Sequence, residues 1–460
     1  MLKFSYQRKT FGTYEFGALG PEGPWSLFDK LGNVTMLSPA DNFLVSRMNE
    51  SPEGTAASGI DRAIQTLPAG FSHSTLLVFD RGMNQAFSDW GSALLALGGK
   101  RRPANDANVV LDPVFWKSTS QYLADAGVVT YQRDWLNHNA AAELSLTDPR
   151  SFLGNMPEAM LSKGITIQYC MPLPSHYMAS RQYSNVPTIR TSLDRFDREK
   201  WDSFLYDSRL ATAVGLWPWT DVFFSNELPN LILSTLSAGP VGVGDAWGEA
   251  NAHNLAAAVR TDGLIVKADS PLLPINSMYA SDALNERAPM VAMSENAFGN
   301  QRASCVFAHP RSASQESVAV PLSSLEMTEP VFAYDWVTHN GGVIPDRGSL
   351  RMNFTDGSDY QTLSPVNRQG LALLGDTEKI VSLGKQRFAA IDDHGTLRVT
   401  IKFARGEDTL TISGYASHRP KFKALQGKLN DTSYDPQTKI FRAQTAPAGS
   451  GEAILQVIRR

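Results

Sequence analysis

Two aspartates stand where a carboxylate can do covalent chemistry. The run Val128-Val129-Thr130-Tyr131-Gln132-Arg133-Asp134-Trp135-Leu136 reads as an apolar strand ending in Asp134 beside Trp135. The run Thr188-Ile189-Arg190-Thr191-Ser192-Leu193-Asp194 reads as a second strand that delivers Arg190 and, four residues later, Asp194. Carboxylates at the mouths of two neighbouring strands can work on a sugar acetal together. One attacks the anomeric carbon while the other protonates the departing oxygen, and a separation of about 5–5.5 Å gives retention of configuration. An arginine beside them can hold substrate hydroxyls, and Trp135 would form an aromatic wall. Taken singly, either aspartate reads equally as a helix N-cap or a turn residue.

Further residues extend this constellation. His176 follows the apolar run Ile165–Tyr169 and is expected to line the same pocket, with a backbone-bonded loop histidine as the alternative. Asp245 follows Val241–Val243, where Gly242 and Gly244 allow a close backbone approach to a ligand or simply form a bulge. Trp217 and Trp219 read as packing residues more than as sugar platforms, and Cys170 as a small buried apolar residue. His253 has no second ligand at helical spacing, so a zinc helix motif is absent. No metal and no organic cofactor is expected.

The elements that must carry these residues follow from pattern. Residues 1–70 are punctuated by Gly12, Gly17, Gly20 and Gly23 between short aromatic pieces, an N-terminal β segment. Residues 71–290 alternate apolar runs (Ser74–Phe79, Val128–Tyr131, Ile165–Tyr169, Thr188–Thr191, Leu216–Phe224, Val241–Val243) with helical stretches such as Gln85–Leu97. Such alternation implies parallel βαβ units. A polar residue just past many of these runs (Asp134, His176, Asp194, Asp221, Asp245) favours a (β/α)₈ barrel, in which the strand ends carry the active site; an open doubly wound sheet also fits the pattern, but no G-x-G-x-x-G follows a first strand. Between Phe71 and Trp116 only Ser74–Phe79 reads as a strand, and Lys100–Leu111 is polar, so either the barrel lacks early strands, or the strand numbering differs, or a partner or another segment fills the gap. Residues 291–460 are strand-rich, with turns at Asn340-Gly341-Gly342 and Asp393-His394-Gly395, and predict a C-terminal antiparallel β-sandwich.

The two aspartate motifs resemble the retaining α-galactosidase superfamily, especially its α-galactosidase and raffinose-synthase-like members. The resemblance implies a (β/α)₈ barrel with a C-terminal β-sandwich. It implies Asp134 as nucleophile, matching the family's fourth-strand aspartate, and Asp194 as acid/base, matching an aspartate four residues after an arginine. Gly215-Leu216-Trp217-Pro218-Trp219-Thr220-Asp221 and Leu236–Asp245 look like the seventh and eighth strands. Trp135, Arg190, His176 and Asp245 would then be substrate-binding. Gln132 departs from the pattern, since many relatives have a lysine there. The implied activity is hydrolysis of terminal α-galactosides. Transglycosylation shares its first half-reaction and is an alternative, and a catalytically defective carbohydrate-binding relative is another.

Composition narrows the partners. The 460 residues are 42% hydrophobic and 19% charged, a globular balance long enough for two or three domains. A net charge of −4 argues against nucleic acid as partner. Two cysteines rule out a disulfide framework. No signal peptide and no run of about 18 apolar residues is seen, so no membrane partner and, by default, a cytoplasmic location are expected. The partner is a carbohydrate substrate; homo-oligomerisation is left open.

Overall fold

The computed structural model describes residues 2–5, 11–15, 23–29, 31–50, 55–97, 113–139, 148–299, 301–393 and 396–459. The polar stretch Lys100–Leu111, Gly17, Gly20 and the two turn residues His394 and Gly395 lie outside them. The chain forms two compact units. The first comprises Met1–Leu193, Lys200–Trp219 and Tyr279–Glu286, and the second comprises Asp194–Glu199, Thr220–Met278 and Arg287–Arg460.

The first unit begins with antiparallel sheets. Phe11–Glu15, Trp25–Asp29, Asn33–Pro39 and Thr75–Arg81 form one in that order, and Leu2–Ser5, Thr55–Ile60 and Ser46–Glu50 form another. Trp25, Leu37, Met48 and Ala56 make a shared apolar cluster. The expected first barrel strand is corrected here. Thr75–Arg81 pairs antiparallel with Asn33–Pro39, with Met36 opposite Val78 and Asn33 opposite Arg81, so it closes the N-terminal sheet and leads no parallel unit. The helix Met83–Leu97 follows, burying Ala86, Phe87, Trp90 and Leu94 at helical spacing. The Trp90 indole N–H donates to the Ser38 hydroxyl at 2.8 Å.

Beyond this lies a four-stranded parallel sheet: Thr130–Arg133, Thr166–Tyr169, Thr188–Arg190 and Trp217–Trp219, neighbours in that order. The helices Asp148–Leu161, Pro174–Ser180 and Trp201–Ala213 connect its strands. Ile167 and Ile189 are fully buried at the strand centres, which fits β-branched residues in short strands covered on both faces. Two expected strands shrink. Leu216–Phe224 keeps strand structure only over Trp217–Trp219. Val241–Val243 is reduced to a single parallel bridge, Val243 to Phe223. Gly242 and Gly244 give it no side chains to pack, and Pro240 has no backbone N–H to donate. The α/β alternation is therefore present. Among the described residues it amounts to four parallel strands and one parallel bridge, not a closed ring of eight.

The second unit is mainly antiparallel. A six-stranded sheet runs Leu273–Pro274, Met290–Phe298, Gln301–His309, Asp359–Pro365, Val331–Asp335, Gly341–Ile344. Two four-stranded sheets follow: Leu371–Gly375, Leu410–Ala416, Ile440–Ala446, Lys428–Tyr434, and Phe388–Asp392, Leu397–Lys402, Glu452–Ile458, Lys421–Gln426. Both feed one apolar core, with Leu371, Leu373, Ile412 and Phe441 from the first sheet and Val399, Ile401, Leu455 and Val457 from the second. Gly414 is required there, because a Cβ would stand 2.2 Å from the Phe441 ring. Arg387, 1% exposed, bonds Asp376 through Nε at 3.0 Å and Glu407 through Nη1 at 2.6 Å. Among the described residues, no helix is long and apolar enough to cross a membrane.

Candidate active site at the strand exits

The register of the parallel sheet positions Asp134. Arg133 stands opposite Tyr169, and Tyr169 opposite Ile189, so three strands end at one edge. Asp134 is the first residue beyond that edge. It is half-buried, and its Oδ1 accepts the Trp135 backbone N–H at 2.8 Å. Trp135 is 55% exposed, with φ at +60°. The neighbouring exits are laced together: the Cys170 N–H donates to the Arg133 carbonyl at 2.9 Å, and the Asn137 N–H to that of Met171 at 2.9 Å. Met171 is itself left-handed, with φ at +49°.

His176 is placed as a helix cap. It is fully buried, and its Nδ1 accepts the Leu173 N–H at 2.8 Å at the start of Pro174–Ser180. An accepting Nδ1 leaves the ring proton on Nε2. The structure thus gives it the backbone-bonded reading. Next door, the Tyr177 hydroxyl donates to the Arg190 carbonyl at 3.1 Å, and burial, reinforced by the Asp207 charge, pushes the Tyr177 phenol well above its usual range. Arg190 is buried at 5% exposure, and the next residue, Thr191, continues the ladder by donating to the Trp219 carbonyl at 3.0 Å. Arg190 lies one strand removed from the Asp134 strand, about 10 Å at ordinary strand spacing.

Asp194 and Asp245 belong to the second unit. Asp194 is exposed. The following residue, Arg195, is left-handed at φ +50°, and its N–H donates to Asp221 Oδ2 at 2.6 Å. The Phe196 N–H donates to the Val222 carbonyl at 3.0 Å. The Arg195 guanidinium forks onto both oxygens of Glu227 and lies 4.6 Å over the Phe224 ring. Burial works against the Glu227 charge, but the Arg195 hydrogen bonds prevail and hold its carboxyl below the usual range. Asp245 is occupied by protein: it accepts the Ser225 N–H at 3.0 Å and the Ser225 hydroxyl at 2.8 Å. These bonds tie its loop to Ser225.

Sequence reasoning missed the Arg195–Glu227 fork and the Ser225–Asp245 tie. Asp221 was visible as a polar residue past a strand, but its hold on Arg195 was not. Trp219 is buried and Cys170 is buried, as read from pattern, while Trp217 is 42% exposed. Among the described residues, no group of His, Cys, Asp or Glu is placed to hold a metal ion.

No protein-family model matches the chain, and no curated protein does. Several solved glycosidases are similar to it. One is a β-L-arabinopyranosidase of glycoside hydrolase family 27 from Geobacillus stearothermophilus, with a TM-score of 0.43 and 16% identity over 56% of this chain. The chain spans 62% of that protein, less than two thirds of its length. A candidate α-galactosidase/melibiase from Bacteroides fragilis aligns at TM-score 0.35 and 9% identity, over 77% of this chain and 98% of that one. A family 31 dextranase from Flavobacterium johnsoniae aligns at 0.38 and 9% identity, over 75% of this chain and 55% of that one. At such TM-scores the likeness carries no argument about the site, and the functional reading rests on the chain's own residues.

Proposed function

We propose that this chain is a retaining glycosidase acting on terminal α-galactosides. One observation carries the reading. The exits of two neighbouring parallel strands each hold a non-glycine residue in left-handed backbone, Trp135 and Met171, and Arg195, directly after Asp194, is a third such residue. Such residues cost about 1–3 kcal/mol apiece and gather where function requires a fixed geometry. Two of the three directly follow Asp134 and Asp194.

In this reading the Asp134 carboxylate attacks the anomeric carbon as the glycosidic C–O bond breaks, and the departing oxygen takes its proton from Asp194. Water then displaces Asp134 from the sugar, giving its proton back to Asp194. Arg190 holds substrate hydroxyls, and Trp135 walls the ring. His176 and Asp245 support the site from its scaffold. We place the work in three parts: a β-rich N-terminal region extended by Thr75–Arg81, a barrel-derived middle to residue 290, and a β-sandwich over 291–460.

The test is an aryl α-galactoside assay with Asp134→Ala. Turnover should vanish, and azide should partly restore it by attacking the vacated face. Near-normal activity in the variant ends the assignment of Asp134.

The count of four parallel strands among the described residues favours a second reading, a carbohydrate-binding relative that does no chemistry. It predicts glycan binding by the native chain without turnover of any aryl glycoside.

A further inference from the structure

We propose that Trp247 is a stacking platform for a sugar ring in the part of a glycan that is not cleaved; its placement in substrate recognition rests on the glycosidase reading. Trp247 is fully exposed, at 103% of the reference surface, the largest exposure of any large hydrophobic side chain among the described residues. The loop that carries it is nevertheless fixed. The Glu249 N–H donates to the Ala246 carbonyl at 3.0 Å, and Gly248 has φ at +82°. That is the pattern of a type II turn with Trp247 at its first central position, where the side chain points away from the turn.

The base of the loop is tied on both sides. The Gly244 N–H donates to the Phe223 carbonyl at 2.9 Å, and Asp245 binds the Ser225 N–H and hydroxyl. The Ser225 hydroxyl in turn accepts the Asn251 N–H at 2.6 Å, and the Asn254 side chain donates to the Ser225 carbonyl at 3.0 Å. An indole displayed on a pre-set turn loses little freedom when it is covered, which is the condition for useful affinity from one contact.

Area selects the occupant. A tryptophan side chain offers on the order of 150–250 Å², whereas a stable protein interface needs about 800 Å² from each partner. Its sequence neighbours Ala246, Gly248 and Ala250 are small, and Glu249 and His253 bring hydrogen-bonding side chains to the same stretch of chain. One flat apolar ring in a polar setting fits the C–H face of a pyranose, whose rim of hydroxyls needs polar company.

The experiment titrates the full chain with galactose, raffinose and stachyose, following tryptophan fluorescence, and repeats it with Trp247→Ala and Trp247→Phe. The native chain should bind the tri- and tetrasaccharide more tightly than galactose. Trp247→Ala should lose about tenfold in that affinity, with Trp247→Phe in between. Where turnover is measurable, the loss should fall on KM for the longer sugars rather than on kcat. Unchanged affinity in Trp247→Ala overturns the proposal even if the chain is an active galactosidase. So does concentration-dependent self-association that Trp247→Ala abolishes, because the occupant is then a second copy. If the galactosides do not bind but a glycan array shows binding that Trp247→Ala removes, the platform stands and the galactoside reading fails.

Discussion

The Arg195 backbone N–H donates to the Asp221 carboxylate at 2.6 Å, so the residue directly after Asp194 is held by a group twenty-six positions further along the chain. A charge-assisted bond of this length is of the stronger kind. It offsets the cost of the left-handed backbone at Arg195 and fixes the direction from which Asp194 leaves the chain. Asp221→Ala should therefore lower stability by about 1.5–3 kcal/mol and activity by more than that loss explains. Urea midpoints and kcat on the folded variant measure the two effects. An unaltered kcat would show that Asp194 needs no such anchor.

Asp194→Asn separates protonation from binding. If Asp194 gives its proton to the leaving group, natural disaccharides, with poor leaving groups, should slow by about 10²–10⁴-fold. Activated aryl galactosides, which need little protonation, should slow far less. Equal slowing of both substrate types removes Asp194 from the acid role.

Asp207 gives a pH dependence of stability that is independent of any activity. Its carboxyl lies on Trp201–Ala213, and burial pushes it up to about 7 from an ordinary 3.8. Between those values the unfolded chain has released this proton and the folded chain still holds it, so stability falls as pH rises from about 4 to about 7 and then levels. Asp207→Asn should flatten that fall and leave the protein more stable at pH 8, by up to about 4 kcal/mol. Thermal melts at pH 4.5 and pH 8 read the difference. A parallel pH trend in native and variant protein excludes Asp207 as its source.

Arg387 joins Asp376 and Glu407 almost out of reach of water. Arg387→Met strands two carboxylates and should cost about 3–5 kcal/mol. Adding Asp376→Asn and Glu407→Gln should restore much of the loss, since the penalty comes from unpaired charge. Denaturant midpoints of the single and triple variants decide this, and a triple variant no better than the single one contradicts it.

The strands of the second unit were legible because their signals are local. Leu397–Lys402 and Glu452–Ile458 alternate buried residues with residues that are partly or fully open to solvent. Thr188–Arg190 was legible too, since Ile189 sits between a threonine and an arginine. The partner of Thr75–Arg81 was not. Its apolar run suits a buried parallel strand equally well, and only the register with Asn33–Pro39, some forty residues earlier, makes it antiparallel. The site divided in the same way. Asp134 and Asp194 announce themselves by what stands next to them. The tie between Asp245 and Ser225 depends on a chain reversal that no spacing records, so a carboxylate engaged by its own protein looked free.

The left-handed backbone at Trp135 has a consequence for directed evolution. Glycine and asparagine tolerate that conformation far better than an aromatic residue does. A library randomised at position 135 and sorted only for thermal survival should drift towards those two residues. Sorted for turnover, it should return to tryptophan. The divergence between the two enriched pools would measure how much fitness the organism draws from a residue its fold would discard.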